Sequence, residues 1–149
     1  MREEKYVLCK TLEKDDKLVK GKNPVNWFEI PVKNIERAKE FYETVLGYPL
    51  NENEMGDMKM AWFPVDEHGN GSTGTLVQAS GYEPSQEGTV VYLHVDDIET
   101  TLDKIIDNGG RIIRPKMSVG DYGYIAHFED IEGNRVALHS DNSGSEILD

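Results

Sequence analysis

The stretch WFEIPVKNIERAKEFYETVLG, residues 27–47, contains a strand, a helix and both ends of that helix. In its first six residues the apolar side chains alternate and share one face, which is typical of a half-buried strand. Asn34 can cap a helix in which apolar residues recur every three or four positions. Gly47 stands where a left-handed residue commonly ends a helix. The stretch therefore predicts a strand followed by a helix with one buried face.

Four residues of this stretch recur at a single offset in the second half of the chain. Val32, Ile35, Glu36 and Gly47 have counterparts 63 residues later, which are Val95, Ile98, Glu99 and Gly110. The agreement spans the end of the strand, the start of the helix and its end. Two copies of a long period indicate duplicated supersecondary units. The sequence therefore predicts an α+β fold of two βαβββ modules that pair into an open, cup-forming sheet.

The remaining elements are predicted from apolar runs separated by turn residues. In the first half the further strands are Met58–Val65 and Thr75–Ala79. The second half opens with the strand Val90–Val95 and a helix that Asp96 or Asp97 caps. That helix is expected to bury Ile98, Leu102, Ile105 and Ile106. A short strand, Arg111–Arg114, is expected next and should end before Pro115. A hairpin follows, with strands Tyr122–Glu129 and Arg135–Ser140 joined by the turn Asp130–Asn134.

Charge separates the first 24 residues from the rest of the chain. Residues 1–24 carry seven basic and five acidic side chains, whereas the whole chain has 16 basic and 28 acidic ones and a net charge of −12. We therefore expect a charged N-terminal arm over 1–24. A single domain follows over 25–140, with modules at 25–80 and 89–140, and a polar tail covers 141–149.

Composition limits the class of protein. A chain of 149 residues with 38% hydrophobic and 30% charged residues is typical of one soluble domain. Its acidity argues against nucleic acid or an anionic membrane as a partner, and no apolar run approaches the roughly 20 residues that span a bilayer. The single cysteine, Cys9, excludes an internal disulfide and a multi-cysteine metal site. Its segment, Tyr6–Cys9, is either part of a solvated arm or a strand that docks on a neighbour. We expect a cytoplasmic protein.

The chain resembles the vicinal oxygen chelate superfamily, which includes glyoxalase I, extradiol dioxygenases and bleomycin-resistance proteins. The resemblance covers about residues 25–140 and is greatest to a subgroup of glyoxalase-like proteins that share a Trp-Phe-Glu-Ile-Pro-Val strand. It rests on Phe28–Val32, Arg37–Tyr42, Val45–Gly47, Tyr92–Glu99, Gly109–Gly110 and Asp130–Asn134. The resemblance implies the glyoxalase-like fold. It also implies a homodimer, because modules of this type often pair across subunits.

The resemblance also bears on metal binding. Enzymes of this superfamily hold a divalent metal through four strand positions that carry His, Gln or Glu, and the metal acts as a Lewis acid on two substrate oxygens. Carried over by position, the first, third and fourth ligands fall on Trp27, Val90 and Ala137, which cannot coordinate a cation. The second falls on the Leu76–Gln78 strand, where only Gln78 is a possible ligand. The resemblance thus predicts that the family's metal site is lost and that the protein has no metal cofactor.

A displaced metal site is an alternative. Strand alternation places Glu29, His94 and His139 on the predicted cup face, and two histidines with one carboxylate suit a divalent ion such as Zn, Ni, Mn or Fe. Both histidines lie near strand ends. They could equally form ordinary hydrogen bonds at the rim or contact a substrate, and His94 could carry a proton.

Glu29 is a lone carboxylate on a strand otherwise built mainly from apolar residues. If it is buried without a partner, its pKa would be raised and it could act as a general base. The alternative is a structural ion pair with Arg135, which alternation places on the cup face of the last strand.

Other residues of the predicted cup suit a small-molecule pocket. Trp27 and Tyr92 offer aromatic walls together with Met58, Met60 and Trp62, unless these side chains fill the core instead. Gln78, Arg135 and His139 are expected to add polar contacts. In family members the loop that matches Tyr122–Tyr124 approaches the pocket, so Tyr122 or Tyr124 is expected to touch a ligand.

Three functions follow from these residues. The first is a binding protein of the bleomycin-resistance type that holds a small, partly apolar molecule without chemistry; the acidic balance favours a neutral or cationic ligand. The second is a metal-dependent lyase, isomerase or dioxygenase that uses the displaced Glu and His residues. The third is a metal-free enzyme in which Glu29 or His94 acts as the acid–base group.

Overall fold

The computed structural model describes residues 23–142. The predicted N-terminal arm, including the Tyr6–Cys9 segment, lies outside the described residues except for its last two positions, as does the tail beyond residue 142. Between residues 23 and 142, no helix has the length and apolarity needed to cross a membrane.

Two modules with the same order of elements follow one another. The first consists of β1 (Phe28–Pro31), α1 (Ile35–Leu46), β2 (Asn51–Met55), β3 (Met58–Trp62) and β4 (Gly74–Gln78). The second consists of β5 (Tyr92–His94), α2 (Ile98–Asp107), β6 (Arg111–Ser118), β7 (Tyr124–Glu129) and β8 (Arg135–Ser140), with a 3-10 turn at Gly120–Tyr122. This architecture confirms the predicted α+β fold of two βαβββ modules.

The two sheets also share one topology. The first has the strand order β1-β4-β3-β2 and the second the order β5-β8-β7-β6. In each, the first strand runs parallel to the last and the other neighbours are antiparallel. The first strand of each module therefore forms one edge of its sheet, and these two edges border the cleft described below.

Both helices begin where the sequence predicts, and α1 also ends there. The helix α2 ends at Asp107, and the left-handed glycine that follows it is Gly109 rather than Gly110, the counterpart of Gly47. The side chain of Asn34 accepts a hydrogen bond from the backbone of Arg37, and Gly47 adopts a left-handed φ of 86°. For α2, the open choice between the two aspartates is settled in favour of Asp97, whose carboxylate accepts from the Thr100 N–H. These caps satisfy backbone groups that a helix end leaves without partners.

Three further details differ from the prediction. Ile106 is 51% exposed rather than buried, because it lies beside rather than on the buried stripe of α2. Pro115 does not end a strand; β6 continues to Ser118, since an edge strand tolerates a residue without an N–H and the pairing with β7 shifts register there. The strand β2 was not predicted, because all five of its residues are exposed and none marks a buried face.

One hydrophobic core joins the modules. It includes Ile30, Phe41 and Leu76 from the first module and Phe128 and Leu138 from the second. The rings of Phe41 and Phe128 lie 6.5 Å apart between centroids. Because both helices contribute to this core and pack against each other, the modules are held side by side.

Candidate functional site

A cleft of about 710 Å³ lies between the first strands of the two modules. From the first module it is lined by Val25, Trp27, Phe28, Glu29, Tyr48, Phe63, Pro64 and residues 70–73. From the second module it is lined by residues 89–94. A volume of this size is typical of small-molecule sites.

Aromatic side chains form much of the wall of this cleft. Trp27 is 38% exposed and Tyr92 is 48% exposed, so both rings present free surface. The position of Trp27 is set by an edge-to-face contact with Trp62, at 5.4 Å between ring centroids. Partly exposed aromatic rings on fixed strands are suited to bind an apolar or aromatic group.

Glu29 is exposed and faces the cleft. The Tyr82 hydroxyl donates to its Oε1 over 2.8 Å, and this hydrogen bond raises the pKa of Tyr82. The burial on which the general-base prediction depended is therefore absent. The alternative ion pair with Arg135 is not formed either, because the Arg135 side chain is directed to His127.

Arg135 lies at a second, smaller cavity of about 110 Å³ that shares Glu29, Thr89 and Val91 with the cleft. Its Nε donates to Nδ1 of His127 over 2.9 Å. Since that nitrogen accepts, the proton of the neutral ring lies on Nε2, which is 2.9 Å from the Tyr92 hydroxyl. Tyr92, His127 and Arg135 thus form one polar network.

Burial lowers the pKa of His127, and the positive charges of Arg135 and Arg114 lower it further. The ring is therefore held neutral and acts as a bridge between an arginine and a tyrosine. The network leaves the Tyr92 hydroxyl hydrogen available to an acceptor at the edge of the cleft.

The strand register explains how this network forms above Ala137. Tyr92 on β5 and His127 on β7 are both paired with Ala137 on β8. Their side chains meet across the strand that separates them, which requires a small residue at that position. The methyl group of Ala137 is fully buried beneath them. Trp27 and Val90, the other two positions that the resemblance relates to metal ligands, line the cleft and carry no ligand atom for a cation.

Gln78 lies on the face of its strand opposite to the one predicted. In the parallel pairing, Thr75 and Val77 stand beside Glu29 and Pro31, whereas Leu76 stands beside Ile30 in the core. Gln78 shares the face of Leu76, and its Oε1 accepts a hydrogen bond from the Ile35 N–H over 2.8 Å. The amide therefore caps α1 and does not line the cleft.

The two histidines of the predicted displaced set lie together, but Glu29 is not with them. The parallel register pairs His94 with His139, and their ring centroids are 6.3 Å apart. The carboxylate that joins them is that of Asp141. His94 also lines the cleft.

Tyr122 and Tyr124 do not line the cleft. Tyr122 ends the 3-10 turn and its carbonyl oxygen accepts a hydrogen bond from His139. The ring of Tyr124 lies 4.5 Å from Nζ of Lys116. Of the predicted apolar wall, Met60 is buried and Met58 and Trp62 are partly exposed, and none of these three lines the cleft.

Sequence reasoning missed two residues of this region. Alternation along its own strand does not single out His127, although pairing that strand with β8 in register places it beside Ala137. Asp141 was assigned to the tail, yet it follows His139 by two residues, the spacing that returns a side chain to the same face of a strand.

Comparisons with known proteins agree with this fold. The model of the Glyoxalase/Bleomycin resistance protein/Dioxygenase superfamily matches residues 25–138. The "Putative glyoxylase CFP32" of Mycobacterium tuberculosis is 24% identical over 121 residues, which are 78% of this chain and 45% of that protein. A "Glyoxylase-like domain-containing protein" of Didymella fabae is 27% identical over 118 residues, which cover 76% of this chain and 91% of that protein.

Solved structures show the same architecture. A glyoxylase/bleomycin resistance protein/dioxygenase domain from Frankia superposes with a TM-score of 0.63 at 12% identity, over 82% of this chain and 100% of that chain. A mutant glyoxalase I from Zea mays superposes with a TM-score of 0.60 at 20% identity, over 85% of this chain and 49% of that chain. The chain spans about half the length of the mycobacterial and maize proteins that it matches. On the match of the family model over residues 25–138, the chain belongs to the Glyoxalase/Bleomycin resistance protein/Dioxygenase superfamily.

Proposed function

We propose that this protein binds a small, partly aromatic molecule in the cleft between β1 and β5, and that the ligand is neutral or cationic. The observation that carries the proposal is the composition of the cleft. Trp27 and Tyr92 present exposed aromatic surface, and Glu29 is the only carboxylate among the described residues that line it.

The sign of the ligand follows from the charges around the cleft. Among the described lining residues, there is no lysine or arginine to offset the carboxylate of Glu29. The chain as a whole carries a net charge of −12. An ammonium group beside Glu29 and a ring against Trp27 would gain both an ion pair and aromatic contact, whereas a carboxylate would be repelled.

The proposal includes the loss of the metal site that the superfamily's enzymes use. Trp27 packs against Trp62, and the Tyr92–His127 hydrogen bond lies over Ala137. These contacts support a role in which the family's ligand positions help to shape a binding surface. We further propose, from the family resemblance and the composition, a cytoplasmic homodimer, for which sedimentation equilibrium is the test.

Calorimetric titration with two probes of opposite charge tests the proposal. Phenethylammonium is expected to bind with one site per chain, and phenylacetate is expected to bind at least about fivefold more weakly, because an exposed ion pair contributes roughly 1 kcal/mol. Glu29→Gln should remove most of this preference, and Trp27→Ala should weaken both probes. Glu40→Gln, an exposed carboxylate on α1, is the matched control and should change neither.

The outcome that overturns the proposal is equally specific. Tighter binding of phenylacetate, or phenethylammonium binding that persists unchanged in Trp27→Ala and Glu29→Gln, would place the ligand elsewhere. Retained cooperative unfolding of each variant by circular dichroism separates a lost site from a lost fold.

A further inference from the structure

We propose that His94, His139 and Asp141 bind one divalent first-row transition ion at the edge of the cleft. One candidate ligand atom from each residue lies within 4.8 Å of the other two. The site is separate from the positions that the superfamily uses, which are Trp27, Val90 and Ala137 in this chain.

The fold, rather than a chance surface contact, brings the three side chains together. His94 is the last residue of β5 and is paired in register with His139 on the parallel strand β8. Asp141 follows His139 by two residues and returns to the same side of the chain. Two adjacent strands therefore supply both histidines, and ladder hydrogen bonds on both sides of β8 fix the backbone of His139. Asp141 is the first residue after β8.

A hydrogen bond orients His139 for this role. Nε2 of His139 lies 2.6 Å from the carbonyl oxygen of Tyr122. Since a carbonyl oxygen only accepts, Nε2 carries the proton and Nδ1 keeps the lone pair that a metal requires. A carbonyl oxygen that accepts from the outer N–H of a histidine is the usual support of a metal ligand. Oδ1 of Asp96 lies 3.6 Å from Nε2 of His94, which is beyond hydrogen-bond distance.

The ligand set indicates the class of ion. Two imidazoles and one carboxylate suit Zn²⁺, Ni²⁺, Co²⁺ or Fe²⁺, whereas Mg²⁺ and Ca²⁺ prefer sites made of oxygen ligands. Bonds of about 2.0–2.2 Å require ligand atoms roughly 3.3 Å apart in a tetrahedral site. The side chains of His94 and Asp141 are exposed, so rotation about their own bonds can close the remaining distance.

An ion bound by these three residues would lie beside the cleft in which the small molecule is proposed to bind. His94 lines the cleft, so three protein ligands would leave at least one coordination position open near that space. The metal site does not depend on the proposed function, because it is assembled from residues that do not include Trp27 or Glu29.

The test is a titration of the full chain with Zn²⁺ alone, and with Co²⁺ to read coordination from its visible absorption. All proteins carry Cys9→Ser, which removes the one thiol that could compete for the ion. We expect one ion per chain. His94→Gln, His139→Gln and Asp141→Asn should each lower the affinity for Zn²⁺ by about tenfold or more. Removing even a residue that supports a metal ligand typically has an effect of this size. His68→Gln, an exposed histidine in the β3–β4 turn, is the matched control and should bind as the parent does.

Two results would overturn the assignment. One is an absence of stoichiometric Zn²⁺ binding by the parent. The other is binding that falls no more in His94→Gln and His139→Gln than in His68→Gln. Phenethylammonium titration of the same variants, without metal, is expected to be unchanged in Asp141→Asn. Failure of the metal site and failure of the ligand site are therefore told apart.

Discussion

The hairpin turns of the two modules have the same local design and different surroundings. In the β3–β4 turn, Asp66 accepts from the N–H of His68 through its side chain and from the N–H of Gly69 through its carbonyl. In the β7–β8 turn, Asp130 accepts from Glu132 and Gly133 in the same way. The first turn is exposed, whereas Asp130 is 3% exposed.

The buried turn has become a joint between the modules. Oδ2 of Asp130 accepts from the Tyr42 hydroxyl on α1 over 2.6 Å. The Asn134 side chain donates to the carbonyl of Pro31 over 2.7 Å and accepts from the N–H of Ser85 over 3.0 Å. The same local turn therefore serves as an exposed cap in one module and, with partners from the other module, as a buried tertiary contact.

The largest loss of stability is expected when the buried aspartate of the β7–β8 turn is removed. Asp130→Ala removes the acceptor of two backbone N–H groups and of the Tyr42 hydroxyl, all within the protein. We expect a loss of about 3–5 kcal/mol in the free energy of unfolding, because three donors inside the protein lose their acceptor at about 1–3 kcal/mol each. Asp66→Ala, the matched change in the exposed turn, is expected to cost less than about 1 kcal/mol. Urea denaturation measures both, and equal losses would contradict the comparison.

Tyr42→Phe sharpens the same point with a smaller change. It deletes one hydroxyl group and leaves Oδ2 of the buried Asp130 with fewer partners. Burial and the charge of Asp130 both raise the pKa of Tyr42, so the hydroxyl keeps its proton for this bond. We expect a loss of about 1–3 kcal/mol. When Asp130→Ala is already present, Tyr42→Phe should lower the free energy of unfolding by much less. Losses in the two single variants that add up to the loss in the double variant would contradict direct coupling between the two side chains.

The polar network around His127 in the second module is expected to make the stability of the protein depend on pH. The pKa of His127 is lowered in the folded protein, mainly by burial, so below about pH 6.5 the unfolded chain binds a proton more readily. The contribution of His127 to stability is full above that pH and declines as the pH falls towards its folded pKa. We expect the free energy of unfolding to fall less between about pH 6.5 and 5 in His127→Gln than in the parent protein. His68→Gln serves as the control, and an unchanged slope in His127→Gln would contradict a neutral, buried ring.

The smallest expected effect concerns an exposed ion pair beside the joint. Nη2 of Arg111 on β6 lies 2.6 Å from Oε1 of Glu129 on β7, but the arginine side chain is 64% exposed. Solvent screens such pairs, so Arg111→Ala should cost less than about 1 kcal/mol in thermal unfolding. A loss as large as that of Tyr42→Phe would contradict the ranking of the buried turn above exposed charge.

Much of the fold could be predicted because local signals agree with tertiary packing. Asn34, Gly47 and Asp97 cap helices through contacts with their own neighbours in sequence, and the buried stripes of both helices repeat in register. β2 could not be predicted, since its residues are exposed and its pairing with β3 depends on a partner elsewhere in the chain.

The site was less predictable because it depends on which strands lie side by side. A shift of one residue reverses the facing of a strand, and this is why Gln78 lies on the helix side as a cap for α1. The meeting of Tyr92 and His127 over Ala137 is set by strands that pair across the sheet, which alternation along one strand does not reveal. Trp27 and Glu29 could be predicted to face the cleft because alternation of side chains along their own strand determines this.

The most direct test of a ligand site between the two modules is an NMR titration with phenethylammonium. The indole N–H signals of Trp27 and Trp62 are assigned through Trp62→Phe. We expect a saturable shift of the Trp27 signal that is much reduced in Glu29→Gln, together with shifts at Tyr92 and His94 on the opposite wall. Saturable shifts confined to residues outside the cleft, or a Trp27 signal that does not move while binding is seen by calorimetry, would contradict it.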